Sequence, residues 1–490
     1  MQAAPPTDRA GTTASVLRSK PVLAVLTLLA VAAIPELVPV LARYRLLSPR
    51  PVVSAAPAAI PPPETALGET ELPSTGESRP DLAQPEKLEE RLERRGPIAD
   101  DGETAPQHGA TDTSPVAVVD ESRSLARFYA ALSRTEKREK GAISRVVFFG
   151  DSVVASDFGT GTLRRLLQKR FGDAGHGFVL AASAWPQYFH NDVYRYADKG
   201  FRASRVVGPR ASDGLYGLGG VSFVGAPGLR SRVGTSKSGS YGRRVSRFEL
   251  AYVEEPGGGL LELLLDGAAR PPIDTNGPEK RVAFAEIRTE DGEHELELKT
   301  ARANVRLFGM VLERDEPGVV LDAIGLVGAR LRTLDESDDD DFARALAWRK
   351  PNLVAYQFGA NESGDGFAYP MPEYHRTMKE LLQKVQRAVP DAACLVVGAM
   401  DRARKEDGHL VTLPIIPILV EEQRRVAAEV GCAYYATYDA MGGRGSMGAW
   451  VRKGFGAGDF THPTSWGADQ LGRWLYSALM TGYDARGGGR

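Results

Sequence analysis

Three side chains set far apart in the chain could together cleave an ester: Ser152 in Gly150-Asp151-Ser152, and Asp459 and His462 in Asp459-Phe460-Thr461-His462. A serine hydroxyl is a poor nucleophile until a neighbouring base takes its proton. His462 is the candidate base, and Asp459 would fix its tautomer and stabilise the imidazolium. So close in sequence, the two must share one loop. Two further signals lie between, Gly325-Leu326-Val327-Gly328-Ala329 and Gly359-Ala360-Asn361-Glu362. Each signal alone has a plainer reading. Ser152 could cap a helix after a tight turn, Asp459 and His462 could cap a loop, and Asn361 could be an ordinary αL turn residue. Their order, and their shared placement at the ends of strands, turn the balance toward catalysis.

Those strand ends follow from the hydropathy pattern. Arg145-Val146-Val147-Phe148-Phe149 runs into Gly150, and residues 319–326, 352–358 and 394–399 repeat the design; residues 432–437 are more mixed. Helical spacing fills residues 341–348, 371–388, 420–430 and 466–480. Short apolar strands alternating with helices predict a parallel sheet covered on both faces, a three-layer α/β/α domain. All four signals fall at carboxyl ends of strands or in the loops beyond them, where open α/β sheets place their sites. Residues 206–317 break the alternation. Period-two patterns punctuated by Asp266-Gly267 and Asp291-Gly292 predict an antiparallel β-sandwich there. It would interrupt the hydrolase-like layer, leaving residues 119–205 as its first part and 318–485 as its second.

On these residues the chain resembles the SGNH (GDSL) hydrolase superfamily, whose blocks match Gly150-Asp151-Ser152, Gly328, Asn361, and Asp459 with His462. The resemblance covers about residues 140–207 and 318–480. More narrowly, Gly150-Asp151-Ser152 through Asp157 to Arg164-Arg165-Leu166-Leu167, with Phe171-Gly172-Asp173, resembles the bacterial peptidoglycan O-acetylesterase branch. In that branch a carbohydrate-binding-like jelly roll interrupts the hydrolase domain. The resemblance implies a flavodoxin-like SGNH fold and a serine esterase acting through an acyl-serine; no cofactor is expected. It assigns the oxyanion hole to the backbone N–H groups of Ser152 and Gly328 and the side-chain amide of Asn361. Two positions depart from the pattern: Val327 stands where the family usually has Asn, and Glu362 where Asp is common. Asp151 is expected to support the turn rather than the chemistry, and Asp157 to accept hydrogen bonds behind it. The implied partner is an acetylated cell-envelope polysaccharide, peptidoglycan first. An O-acetyltransferase using the same acyl-serine is an alternative reading, and so is a non-catalytic envelope glycan-binding protein on a hydrolase scaffold.

Composition bounds the rest. About half of the 32 prolines fall in the first 120 residues, and no aromatic residue lies between Tyr44 and Phe128. Such a stretch cannot offset its ordering entropy by burial, so residues 43–118 are expected to be a disordered linker. Before it, residues 21–42 are mostly Leu, Val and Ala and just long enough to cross a hydrocarbon core of about 30 Å. They read as a signal-anchor, or as a cleaved signal peptide with Ala30-Val31-Ala32 as its cleavage site. Either exports the remainder of the chain; an anchor would leave residues 1–20 cytoplasmic and the catalytic part in the cell envelope, periplasmic or extracellular. A formal charge of −2 gives no support to a nucleic-acid partner. The histidines form no metal-binding spacing, so no metal is expected, and the acidic run 336–341 reads as a helix start. Cys394 and Cys432 are expected as small apolar packing in neighbouring strands. All five tryptophans lie outside the insertion, which is therefore expected to shape a cleft beside Trp185, Tyr188 and Phe189. Oligomeric state leaves no signal in the sequence.

Overall fold

Val146 and Phe148 pack into one hydrophobic cluster and Val147 and Phe149 into another, with all four buried. A strand buried on both faces belongs in the middle of a parallel sheet. In the computed structural model, which describes residues 111–487, six strands form that sheet. They are Val118–Val119 (β1), Ile143–Gly150 (β2), Gly318–Gly325 (β3), Leu353–Gln357 (β4), Ala393–Val397 (β5) and Ala433–Tyr435 (β6). Their order is β1-β6-β5-β4-β2-β3. Strands β2 to β6 are parallel, and β1 adds antiparallel to β6. Counting only the parallel strands along the chain, the order is 2-1-3-4-5, that of doubly wound flavodoxin-like folds. Strand order reverses around β2, and such a switch point opens a crevice at the carboxyl ends of the strands.

Helices Ala126–Glu136, Phe158–Phe171 and Ser465–Ala485 cover one face through Phe128, Leu167 and Leu479. Helices Asp339–Arg349, Met371–Ala388 and Ile415–Glu429 cover the other through Leu346, Leu381 and Leu419. The acidic run does open a helix: the Asp341 N–H donates to Asp338 Oδ1 at 3.0 Å.

Between the two halves lie a five-stranded and a six-stranded antiparallel sheet. They begin earlier than residue 206. Gly177–Leu180 pairs with Val305–Glu313, Val193–Ala197 with Arg230–Thr235, and Arg202–Arg205 with Val221–Gly225. Strands of four or five residues are too short to show alternation, which hides them in the sequence. Phe178 and Leu307 of the insertion share a core with Val147 and Phe149 of the sheet. A buried charge cluster crosses the same seam. Glu313, closing an insertion strand, accepts from Arg145 of β2 at 2.8 Å, from Arg349 at 2.5 Å and from Arg247. Arg349 Nε also donates to Asp322 of β3 at 2.8 Å.

Two further expectations need correction. The end of the expected linker is part of the fold: Gln470 Nε2 donates to the Thr111 carbonyl at 2.7 Å, and Ser114 N–H to Ser477 Oγ at 3.2 Å. The chain then continues into the edge strand β1, because the open flank of β6 offers backbone partners. Cys394 and Cys432 are not apolar filler. They form a disulfide with Cα atoms 4.7 Å apart, joining β5 to the residue before β6. The apolar segment 21–42, with residues 1–20 and the rest of the linker, lies outside the described residues. Among the described residues no helix is long and apolar enough to cross a membrane.

Candidate active site

The turn that carries Ser152 is built where β2 ends. A Cβ at Gly150 would lie 2.8 Å from the Gln357 carbonyl oxygen and closer still to Val154, so the chain can turn tightly there only with glycine. Helix Ser152–Ala155 starts at once. Asp151 caps it, accepting the Val153 N–H at 3.0 Å. Burial raises the Asp151 carboxyl to a pKa of about 6, against backbone donors at Val153 and Ala360 and the nearby His462. Ser152 occupies the first turn, where a backbone N–H has no carbonyl one turn earlier to bond.

Ser152 Oγ lies 2.7 Å from His462 Nε2, and His462 Nδ1 lies 2.6 Å from Asp459 Oδ2. The other Asp459 oxygen accepts the N–H groups of Thr461 and His462, each at 3.0 Å. The hydrogen bond to Asp459 raises the pKa of His462, which burial opposes. Burial pushes Asp459 up, but His462 and the two backbone donors outweigh it and hold that carboxyl below its ordinary range. The tautomer that this order favours carries its proton on Nδ1, leaving Nε2 free to accept from Ser152. Hydroxyl, base and orienting carboxylate thus form one hydrogen-bonded chain able to generate a serine nucleophile.

Two more turns meet at the same end of the sheet. After β3, the Ala329 N–H donates to the Leu326 carbonyl at 3.0 Å, closing a turn with Gly328 at φ +81°. Glycine is favoured there by its backbone angle, the third position of a type II turn, rather than by crowding: a Cβ would meet open space. Val327 fits the second position with its side chain against the core, so the turn forms without the family's asparagine. After β4, Asn361 lies in helix Ala360–Gly364 and donates one amide hydrogen to the Ala329 carbonyl at 2.9 Å. Its amide carries a second hydrogen. Glu362 reaches back, Oε1 accepting the Leu331 N–H at 2.7 Å. Burial pushes its pKa up to about 7. The Gly328 and Asn361 turns are thereby tied together twice.

The structure distributes the remaining candidates differently. Asp157 is wholly buried and accepts from Thr160 at 2.7 Å, Arg164 at 2.6 Å and the Asn191 N–H at 2.9 Å. It anchors the start of helix Phe158–Phe171 to the first insertion segment rather than joining the Ser152–His462–Asp459 chain. Trp185 and Tyr188 are buried and Phe189 half-buried, so the first two are core and not cleft walls. Residues 438–450 are mostly helical, and Met441, Met447 and Trp450 pack with Val153 of the helix that begins at Ser152. No group of three metal-binding side chains is gathered among the described residues. Sequence reasoning missed Arg402. Its Nε donates to Thr461 Oγ1 at 3.0 Å and its Nη1 to the Ala360 carbonyl at 2.7 Å. The available signal was its place just beyond β5, at the sheet end where sites form.

Fold and site together define a doubly wound α/β/α architecture interrupted by an antiparallel β insertion, with a Ser–His–Asp hydrogen-bonded chain at the carboxyl ends of the parallel strands. No protein-family model matches the chain, and no curated protein does. Solved structures do. One, described as a peptidoglycan O-acetylesterase in action, is similar over 75% of this chain and 99% of its own, with a TM-score of 0.64 and 20% identity. A family two carbohydrate esterase from Cellvibrio japonicus matches over 60% of this chain and 98% of its own, at 13% identity and a TM-score of 0.25. A lipase/acylhydrolase from Enterococcus faecalis covers 34% of this chain and 77% of its own, at 15% identity and a TM-score of 0.24. The first likeness fixes the fold, insertion included.

Proposed function

We propose that the protein is an exported serine esterase that removes O-acetyl groups from a cell-envelope polysaccharide, with peptidoglycan as the leading substrate. The observation that carries this reading is the hydrogen-bonded chain Ser152–His462–Asp459, at 2.7 and 2.6 Å, beside the paired turns of Gly328 and Asn361. His462 takes the Ser152 proton as Oγ attacks the acetyl carbonyl, and returns it to the departing sugar oxygen. Water then attacks the acetyl-serine with His462 again as base, releasing acetate and restoring the hydroxyl. The Ser152 and Gly328 N–H groups and the free Asn361 amide hydrogen are the donors for the tetrahedral oxyanion.

Two features support export. The apolar segment 21–42 reads as a signal or anchor, and the Cys394–Cys432 disulfide suits an oxidising compartment. The likeness to a peptidoglycan O-acetylesterase favours a glycan ester over a lipid ester. The deciding experiment measures acetate released from O-acetylated peptidoglycan by the full chain and by Ser152→Ala. Equal release by both would sink the serine mechanism. Release that requires an added acceptor glycan would mark a transferase.

A further inference from the structure

The loop that carries the base is self-contained. Asp459 bonds His462 Nδ1 and the N–H groups of Thr461 and His462, and the Ala457 N–H donates to the His462 carbonyl at 2.8 Å. Those bonds shape the loop but do not aim Nε2 at a serine more than 300 residues earlier in the chain. The aim comes from outside, from the segment just beyond β5. The Ala403 N–H donates to the Phe460 carbonyl at 2.9 Å, holding a residue whose φ is +58°. Next to it, Arg402 Nε donates to Thr461 Oγ1 at 3.0 Å. The other arm of that guanidinium turns the opposite way, Nη1 donating to the Ala360 carbonyl at 2.7 Å and to Ser363 Oγ at 3.3 Å. Ala360 and Thr461 are the chain neighbours of Asn361 and His462. One planar cation therefore spans the two loops that must stay in register around the reacting carbonyl.

We propose that Arg402 is a positioning residue: its guanidinium straps the Asp459–His462 loop to the Asn361 turn and holds base and oxyanion donor in register with Ser152. The inference rests on the serine-esterase reading above. A planar fork on a long stem suits the task, because its donors leave in fixed directions that a lysine ammonium cannot reproduce. Loss of the strap leaves the side chains of the triad present but poorly aimed. A misplacement of about 1 Å costs on the order of 10²-fold in rate.

The test uses the full chain and p-nitrophenyl acetate, a probe that makes no assumption about the glycan. Arg402→Met is expected to lower kcat about 100-fold while KM changes little, since the strap touches catalytic loops and not the acetyl group. Thr461→Val should lower kcat about tenfold in the wild-type background and have no further effect in Arg402→Met, because coupled contacts are not additive. Guanidinium ion should restore part of the Arg402→Met rate. The pH profile separates aim from charge. The charged groups facing His462 are the Asp459 and Asp151 carboxylates and Arg402 itself. Removing the one cation leaves the carboxylates unopposed, so the acidic limb of kcat/KM should move to higher pH in Arg402→Met. In Arg402→Lys it should stay in place although kcat falls. Wild-type kcat in Arg402→Met, or equal Thr461→Val losses in both backgrounds, would overturn the proposal. Should Arg402→Met fail to fold, wild-type kcat in Thr461→Val alone would overturn it. Failure of the esterase reading is distinguishable: Ser152→Ala would then hydrolyse the probe as fast as the wild type.

Discussion

The floor of the site and its rim are held by different physics. The floor is three turns at the ends of β2, β3 and β4, locked by carboxylates that are almost wholly buried: Asp151 and Glu362 are each 2% exposed. The rim is the single loop of Asp459 and His462, whose side chains are 52% and 39% exposed. Burial raises the floor carboxylates toward neutrality, to about 6 and about 7, whereas hydrogen bonds keep Asp459 ionised. The floor is thus over-determined and costs free energy to keep charged. The rim keeps its charge cheaply and is aimed by few outside contacts. Chemistry that needs a pre-set oxyanion site and a base that gains and loses a proton each cycle is well served by that division.

The largest effect expected joins floor to rim. Ser152→Ala should lower kcat by about 10⁴–10⁶-fold with the fold intact, since the triad acts as a unit. Acetate release at saturating ester reads it directly, and a residual rate within tenfold of wild type would remove Ser152 from the mechanism. On the rim alone, Asp459→Asn should cost about 10²–10⁴-fold. The amide can offer Nδ1 the wrong hydrogen, which leaves the proton on Nε2 and blocks acceptance from Ser152. A loss much smaller than tenfold would mean that the exposed loop tolerates either tautomer. On the floor alone, Asn361→Ala should lower kcat by about 10²–10³-fold, the usual worth of one oxyanion donor. If KM rose instead at constant kcat, Asn361 would be binding ground-state substrate, and the floor would not be an oxyanion site.

The same contrast explains which features are legible in the sequence. The floor residues advertise themselves because a strand end, a turn glycine and a helix start occur within a few residues of sequence, as in Phe149-Gly150-Asp151-Ser152. The parallel character of the sheet is legible from the same alternation, whereas the lateral order of its strands is not. The hidden features depend on contacts between distant segments. Arg402 acts on the Ala360 carbonyl and the Thr461 hydroxyl, and neither leaves a periodic mark in the chain. Cys394 and Cys432 look alike whether bonded or merely neighbouring, because the 4.7 Å approach of their Cα atoms is set by the pairing of β5 with β6. Trp185 and Tyr188 depart from expectation for a related reason. A segment with three aromatic residues beside the insertion suggests a cleft wall, yet the short strands on either side of it draw Trp185 and Tyr188 into the seam between sheet and insertion, where burial wins.

The smallest expected effect is on stability, and it probes the floor without touching the reacting groups. Glu362 is expected to titrate near its ordinary 4.5 when unfolded and at about 7 when folded. Between those values the folded protein binds more protons than the unfolded chain, so this group's contribution to stability falls as pH rises. Asp151, raised from 3.8 to about 6, has the same sign. Asp459 on the rim has the opposite sign: its folded pKa is depressed, so its contribution is present above 3.8 and lost as pH falls through the folded value. Glu362→Gln keeps an oxygen for the Leu331 N–H and removes the buried charge. Relative to wild type, its Tm should be nearly unchanged at about pH 4 and higher by about 2–4 °C at about pH 8. Calorimetric melts of both proteins across that range read the difference directly. A gap independent of pH would mean that Glu362 titrates alike in the folded and unfolded states, and a variant less stable at about pH 8 would mean that its carboxylate holds the Gly328 turn as an anion.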